Sequence, residues 1–244
     1  MKRIIILLIY ATVIVLWSCT KDISDSDPTG VGGSMARFTI KDSYLYAVDF
    51  DNIHVFDITN PSSLTKIAHQ RVGFGIETIF PAGNHLFLGA QNGMYIYSLQ
   101  NPQKPKKISF TPHFVSYDPI VVQDDYAYVT LRQGDGFGGW GNLLQIYDIS
   151  KLERPVLLQE YPMWGPRGLG IDGDKLFICD DILKVFHMKT PTELELMESF
   201  EINAIDVIPD GETLYVVAED GFYQYSYASA SVNLISKITI PKNN

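Results

Sequence analysis

The chain is 244 residues long and carries 19 basic residues against 28 acidic ones, which gives a formal net charge of −9. An acidic chain without a basic patch has no means of neutralising a phosphate backbone, so nucleic acid is excluded as a partner. With only two cysteines, Cys19 and Cys179, a disulfide framework is excluded as well.

Residues 1–18 have the pattern of a secretory signal peptide. Lys2 and Arg3 precede the run IIILLIYATVIVLW, which is too short and too close to the N-terminus to predict a membrane span. The sequence LWSC, which ends at Cys19, resembles the bacterial lipobox, in which signal peptidase cuts before a cysteine that is acylated. This resemblance implies a lipoprotein anchored through Cys19, and the alternative is an ordinary secretory signal with a coincidental cysteine.

Residues 19–35 are acidic and rich in glycine, serine and proline, which predicts a flexible tether. The acidic start of this segment resembles the export signals that send lipoproteins of the Bacteroidetes to the outer face of the outer membrane. The alternative is a solvated linker on a periplasmic protein. We therefore expect an outer-membrane lipoprotein on either the periplasmic or the surface face.

From residue 36 onward, the sequence contains five copies of one repeat unit. Each unit has an aromatic anchor residue in an apolar strand; these anchors are Tyr46, Phe87, Tyr128, Phe177 and Tyr215. Their spacings are 41, 41, 49 and 38 residues. The one long interval contains the glycine-rich stretch GDGFGGWG, so this stretch is an insertion into an otherwise regular period.

A period near 40 residues with four short strands per unit is typical of a β-propeller blade. In each unit, strand a precedes the anchor, strand b contains it, and strands c and d follow. Pro61, Pro102, Pro155 and Pro191 mark the turns between strands c and d, because proline cannot donate to a strand ladder. We predict an all-β fold, a β-propeller of five four-stranded blades over residues 36–244.

The lines LYAVD and LFICD resemble the LVIVD repeat family, which is named for a similar sequence. The similarity runs over nearly all of residues 36–244. The chain also resembles one set of bacterial lipoproteins that carry this repeat, in the stretches YVTLR, YPMWGPRGLGIDGDKLFICD and LKVF. The resemblance implies a propeller at the cell envelope, without a common activity. The last unit lacks the Asn-Pro turn, so the closure of the ring stays open.

The inserted stretch matches a nucleotide-binding pattern by spacing alone. Gly134, Gly136 and Gly139 have the G-x-G-x-x-G spacing, but a cofactor site needs a helix after the glycines. The residues that follow, NLLQIYDIS, alternate as a strand does. We therefore interpret the stretch as a long hairpin connection that lays Phe137 and Trp140 over the mouth of the central channel.

One face of the propeller collects the b-to-c and d-to-a connections, and we call it the loop face. Our candidate ligand-binding residues on it are Phe114, Tyr117, Arg132, Phe137, Trp140, Trp164, Arg167 and Asp180. Aromatic rings beside carboxylates and arginine suit a protein, a peptide or a saccharide. We predict a non-catalytic binding protein; the alternative at this site is that Trp140 plugs the channel and packs on Trp164.

A glycan-active enzyme is the alternative function. Asp118, Asp172 and Asp206 lie near strand a of the last three units, and five-bladed glycoside hydrolases place carboxylates around the axis. The competing interpretation is that these groups bind the backbone or solvate the channel. No catalytic residue or cofactor is therefore assigned.

Metal binding and thiol chemistry are the remaining possibilities. Asp49, Asp51, Asp180 and Asp181 have the oxygen ligands that Ca²⁺ prefers, although paired aspartates at turns more often act as local caps. No metal ligand is assigned. Cys179 lies in the apolar strand LFICD, which predicts a small buried hydrophobic residue and not a nucleophile.

Overall fold

The computed structural model describes residues 32–114, 118–133 and 141–240. Within these residues, all regular secondary structure consists of β-strands. Twenty strands form five four-stranded antiparallel sheets, each built from four consecutive strands. The sheets are arranged as the blades of a propeller. The prediction of an all-β propeller with five four-stranded blades is confirmed.

The blades follow the sequence without any exchange of strands. Blade 1 contains β1 (Phe38–Lys41), β2 (Tyr44–Val48), β3 (Asn52–Asp57) and β4 (Thr65–Arg71). Blade 2 contains β5 (Ile76–Ala82), β6 (His85–Ala90), β7 (Gly93–Ser98) and β8 (Lys106–Pro112). Blade 3 contains β9 (Ile120–Gln123), β10 (Tyr126–Leu131), β11 (Leu143–Asp148) and β12 (Val156–Pro162). Blade 4 contains β13 (Leu169–Asp172), β14 (Lys175–Cys179), β15 (Leu183–Thr190) and β16 (Glu193–Phe200). Blade 5 contains β17 (Ala204–Asp210), β18 (Thr213–Ala218), β19 (Gly221–Ser226) and β20 (Asn233–Thr239).

The first turn of every blade has the same backbone requirement. One residue between strands a and b has a positive φ in each of the five blades: Asp42, Gly83, Asp124, Gly173 and Gly211, with φ between 52° and 57°. Glycine adopts this left-handed conformation without a steric cost, and aspartate tolerates it better than most residues. The tight turn is therefore encoded five times, by glycine or by aspartate.

The b-to-c and d-to-a connections lie at the same end of the blades. In blade 1, the Asp51 carbonyl accepts a hydrogen bond from the Val72 amide at 2.8 Å, and the Phe50 carbonyl accepts one from the Ile76 amide at 2.9 Å. The chain around the glycine-rich stretch is a hairpin connection of the same kind, because Leu131 pairs with Leu143. The loop face therefore exists as the topology predicts.

Apolar packing occurs between consecutive blades. Four hydrophobic clusters join blades 1 and 2, 2 and 3, 3 and 4, and 4 and 5. The first four anchor residues, Tyr46, Phe87, Tyr128 and Phe177, are at most 1% exposed, and each packs toward the next blade. No hydrophobic cluster of the described residues joins blade 5 to blade 1, and the fifth anchor, Tyr215, is 40% exposed.

The burial pattern of strand b separates the middle blades from the terminal ones. In β6, β10 and β14, every residue after the first is buried, so both faces of these strands are covered. In β2 and β18, buried residues alternate with half-buried or exposed ones. Blades 1 and 5 therefore each have one face that no other blade covers among the described residues. We call these two faces uncovered, and we call the gap between them the seam.

The chain before blade 1 is packed from residue 33 onward. Ser34 is buried, although the sequence places it in the tether. The predicted signal peptide and Cys19 lie outside the described residues. Among the residues that are described, no helix has the length and apolar character needed to cross a membrane.

We expect Tyr128→Phe to lower the free energy of unfolding by about 1 kcal/mol, the usual net value of one buried hydrogen bond. The Tyr128 hydroxyl donates to the Pro191 carbonyl at 3.0 Å, and this bond connects blade 3 to blade 4. Tyr215→Phe is the matched control, because the fifth anchor has no next blade to contact. Chemical denaturation of both variants measures the difference; equal losses would contradict the anchor assignment.

Candidate functional site

Trp164 is the most exposed aromatic side chain of the loop face among the described residues, at 76%. It lies in the connection between β12 and β13, and its backbone is held on both sides. The amides of Trp164 and Gly165 donate to Asp180 Oδ1 at 2.9 and 2.6 Å, and Asn142 Nδ2 donates to the Trp164 carbonyl. The backbone is thus fixed while the indole ring faces solvent.

Asp180 supports this connection from inside the fold. Its side chain is fully buried, and Lys184 Nζ lies 2.7 Å from Asp180 Oδ2. Burial alone lowers the pKa of Lys184, but its hydrogen bonds to the two carboxylates of Asp180 and Asp181 raise the pKa above its ordinary value. Asp180 holds the Trp164 backbone in this structure, and the prediction that it contacts a ligand stays a prediction.

Arg167 forms an ion pair on the loop face, and Arg132 lies half-buried directly after β10. Arg167 Nη1 lies 3.2 Å from Glu219 Oε1, an ion pair that connects blade 4 to blade 5 on the loop face. The Arg167 carbonyl also accepts a hydrogen bond from Thr130 Oγ1 at 2.7 Å. Arg132 follows β10 and is half-buried. The Arg167 guanidinium is therefore held at a fixed place beside an acidic group.

A second aromatic pair lies on the loop face above blades 1 and 2. The rings of Phe50 and Phe74 meet edge to face with centroids 4.6 Å apart, and both side chains are exposed. Neither residue is among the eight candidates that the sequence predicts on this face. The signal was present, since Phe50 lies in the b-to-c connection of blade 1.

His113 and Asp118 form a buried ion pair next to Phe114. His113 Nε2 lies 2.7 Å from Asp118 Oδ2, with side-chain exposures of 4% and 1%. Burial lowers the pKa of His113, but the hydrogen bond and the charge of Asp118, together with the Phe114 carbonyl, raise this pKa above its ordinary value. Phe114 itself is exposed. The sequence contains both His113 and Asp118, but it does not indicate that their side chains contact each other.

Asp206 is bound by the segment that precedes blade 1. Ser34 Oγ donates to Asp206 Oδ1 at 3.0 Å, and the Met35 amide donates to Oδ2 at 3.3 Å. Burial raises the pKa of Asp206 to about 6, although these donors and the Val207 amide act in the opposite direction. Asp206 therefore titrates closer to neutral pH than an ordinary aspartate does.

The three carboxylates near strand a do not form one cluster of equivalent groups. Asp118 pairs with His113, and Asp206 accepts hydrogen bonds from Ser34 and Met35. Asp172 ends β13, away from the loop face, and accepts a hydrogen bond from the Tyr227 hydroxyl at 2.7 Å. Each carboxylate thus binds another part of the fold.

Three of the four candidate calcium ligands, Asp49, Asp180 and Asp181, are likewise engaged within the protein. Asp49 Oδ2 lies 2.6 Å from His54 Nε2, and Asp49 Oδ1 accepts hydrogen bonds from the Asp51 and Asn52 amides. These bonds, with that of His54 foremost, hold the pKa of Asp49 well below its ordinary range. No group of three or more histidine, cysteine or acidic side chains suited to a metal occurs in the described part of the chain.

Cys179 is a buried free cysteine, as predicted. Burial raises the pKa of its thiol well above the ordinary value, so the reactive thiolate is disfavoured. The remaining candidates, Tyr117, Phe137 and Trp140, lie outside the described residues, and so does the central part of the glycine-rich stretch. The prediction that Trp140 lies over the channel mouth stays a prediction.

The raised pKa of Asp206 predicts a specific dependence of stability on pH. Because the folded protein binds this proton more tightly than the unfolded chain, the contribution of Asp206 to stability is present below about pH 4 and is lost as pH rises through about 6. In Asp206→Asn, which stays neutral, this part of the pH dependence should disappear. The measurement is the difference in unfolding free energy between variant and parent from pH 4 to 7.5.

Ser34→Ala is the companion variant. Because the Ser34 hydroxyl lowers the pKa of Asp206, its removal should raise that pKa further and extend the loss of stability to higher pH. A parent and an Asp206→Asn variant with parallel pH profiles would contradict the assignment.

Comparison with known proteins gives a partial family match. Residues 32–69 and 118–162, which cover blade 1 up to β4 and blade 3, match the family model described as LVIVD repeat. No curated protein matches the chain.

Solved structures are similar in fold at low sequence identity. The periplasmic gluconolactonase of Pseudomonas aeruginosa has a TM-score of 0.62 and 15% identity, over 81% of this chain and 68% of that one. A protein from Lactobacillus plantarum has a TM-score of 0.66 and 15% identity, over 82% and 69%. A functionally unknown protein from Desulfotomaculum acetoxidans has a TM-score of 0.65 and 13% identity, over 87% and 69%. At these identities the likeness shows the fold alone. The matches to the LVIVD repeat in blades 1 and 3, together with the five four-stranded blades, support a β-propeller of repeated units.

Proposed function

We propose that this protein is a membrane-anchored, non-catalytic propeller that binds a protein, a peptide or a saccharide through its loop face. The observation that carries the proposal is Trp164, whose ring is exposed while its backbone is clamped by Asp180 and Asn142. An exposed indole on a fixed backbone has only two rotatable side-chain bonds to order on binding, and such rings are frequent energetic centres of interfaces and saccharide platforms.

The surroundings of Trp164 favour a polar ligand. Arg167 and Glu219 supply a hydrogen-bond donor group and an acceptor group on the same face. The buried polar groups below them, Asp180 and the His113–Asp118 pair, already have partners within the protein. The polar groups of the interior thus support the face, and the exposed rings provide the contact surface.

We expect Trp164→Ala to lose at least about tenfold in affinity without a loss of stability, because the ring contacts solvent and not the core. The probes are a panel of neutral soluble polysaccharides in affinity gel electrophoresis and a set of casein peptides in titration calorimetry. Leu158→Ala, which truncates an exposed apolar side chain on β12, is the matched control.

Three outcomes contradict this proposal. If Trp164→Ala binds its probe as tightly as the parent, the site lies elsewhere. If the parent binds no member of either panel, a ligand of these classes is wrong. A melting temperature that falls by more than a few degrees in the variant would place Trp164 among the packing residues.

The alternative function, a glycan-active enzyme, is favoured by one observation, the raised pKa of Asp206. A carboxyl group that titrates near pH 6 suits a general acid. Against it, Asp206 is occupied by Ser34 and Met35, and Asp118 is occupied by His113. Release of reducing sugar from any panel polysaccharide, lost in Asp206→Asn, would support the enzyme over the binding protein.

The proposed membrane anchor rests on the sequence around Cys19. We expect Cys19→Ala to move the protein from the membrane fraction to the soluble fraction of a bacterial expression host, because acyl chains could no longer be attached. Metabolic labelling with palmitate should mark the parent but not the variant. An unlabelled parent that still sediments with membranes would show that the attachment is not an acyl chain on Cys19.

A further inference from the structure

The uncovered face of blade 5 is apolar. Cross-strand pairing places Ile208 beside Tyr215 in one row, and Val217, Phe222 and Ile238 in the next row of the same face. Phe222 is 48% exposed and Ile238 is 68% exposed. A cavity of about 180 Å³ opens between these side chains. This face therefore has both the apolar surface and the recess that packing against a second sheet requires.

The uncovered face of blade 1 is also apolar. Phe38, which is 61% exposed, pairs with Ala47, and the exposed Ile40 pairs with Leu45, which in turn pairs with Phe56. The opposite face of the blade holds Tyr46 and packs on blade 2. Exposed apolar patches of this kind on a soluble domain usually mark an interaction surface.

The two faces correspond to the two halves of one repeated interface. We call the face that holds the anchor residue the anchor side, and the opposite face, which holds the two residues next to the anchor, the flank side. In all four internal interfaces, the anchor side of one blade packs on the flank side of the next. The buried flank residues are Leu86, Leu88, Ala127, Val129, Leu176, Ile178, Leu214 and Val216.

The seam leaves one side of each kind uncovered. Blade 5 presents its anchor side, with Tyr215, and blade 1 presents its flank side, with Leu45 and Ala47. Neither of these flank residues is fully buried, in contrast to all eight flank residues of the other blades. A second copy of the chain has the complementary half-interface for each of these two faces.

Within one chain, the segment before blade 1 occupies the inner end of the seam. Ser34 Oγ donates to Asp206 of β17 and accepts a hydrogen bond from the Leu169 amide of β13 at 2.8 Å. Two residues later, the Ala36 carbonyl accepts a hydrogen bond from the Ile79 amide of β5 at 2.9 Å. The segment thus lies across the inner strands, and within the described part of the chain nothing covers the outer parts of the two faces.

We propose that the protein associates with itself head to tail, with the anchor side of blade 5 in one copy packed on the flank side of blade 1 in another. The contact continues the interface that the chain already makes four times. It is heterologous, because different surfaces of the two copies meet, so each copy retains one free half-interface for a further copy.

The test is co-capture of two full-length copies that carry different C-terminal tags and are expressed in one host, after solubilisation in non-ionic detergent. The parent pair should be retained together. In pairs where both copies carry Phe38→Lys, or both carry Phe222→Lys, retention should fall at least about tenfold, because a buried unpaired charge disrupts the proposed contact.

The mixed pair gives the decisive result. A copy with Phe38→Lys keeps an intact blade 5, and a copy with Phe222→Lys keeps an intact blade 1, so these two variants should still be retained together. Recovery in the mixed pair also shows that both variants fold. Val156→Lys, which places the same charge on an exposed site of β12, is the matched control and should leave retention unchanged.

Three results would overturn the proposal. The first is a parent pair that is not retained, which would mean that the seam stays open or is covered by a different protein. The second is retention that is equal in all pairs, as co-capture through a shared detergent micelle would give. The third is a mixed pair that behaves like the two single-variant pairs, because a head-to-tail contact requires complementation.

Discussion

The packing of one aromatic anchor against the next blade is the interaction on which the rest of this structure depends. A four-stranded sheet has two faces, and a single blade cannot bury either of them alone. Each of the first four anchors packs on the flank residues of the following blade, and this contact buries one face of each of the two blades. These anchors are Tyr46, Phe87, Tyr128 and Phe177. With five anchors and four internal interfaces, the fifth anchor, Tyr215, stays 40% exposed and has no following blade among the described residues.

This arrangement distributes stability unevenly around the propeller. Blades 2, 3 and 4 are packed on both faces, whereas blades 1 and 5 are packed on one. In repeat proteins the terminal units have the fewest neighbours and open most readily. Trp164 lies in the connection between blades 3 and 4, so the candidate contact residue is carried by the best-supported part of the molecule.

The sequence predicts the blades because each unit repeats the same local requirements. The anchor, the alternating strands and the positive-φ turn residues recur in every unit, and each can be identified without knowledge of its neighbours. Tyr215 is exposed because no described blade follows blade 5. The sequence of its own strand does not contain this information. Phe38 is a second example. Its residue type predicts a core position, but it is 61% exposed because no blade of the described residues packs on its side of blade 1.

The candidate site was predicted in part, for a related reason. Trp164 and Arg167 were recognised because the topology alone brings their connection to the loop face. For Asp180 the sequence predicts a ligand contact, whereas its internal hydrogen bonds to two backbone amides and its ion pair with Lys184 become visible only in the folded chain. Sequence gives the residue type, but only the folded backbone shows which hydrogen bonds are already made.

Ser34 connects the two regions of interest. Its hydroxyl donates to Asp206 and accepts from the Leu169 amide, so a residue before blade 1 joins the inner strands of blades 4 and 5. Leu169 begins β13, the strand that follows the Trp164 connection. The N-terminal segment thus spans the inner end of the seam and supports the base of the loop face at the same time. The geometry of the candidate site therefore depends on a contact that no single repeat contains.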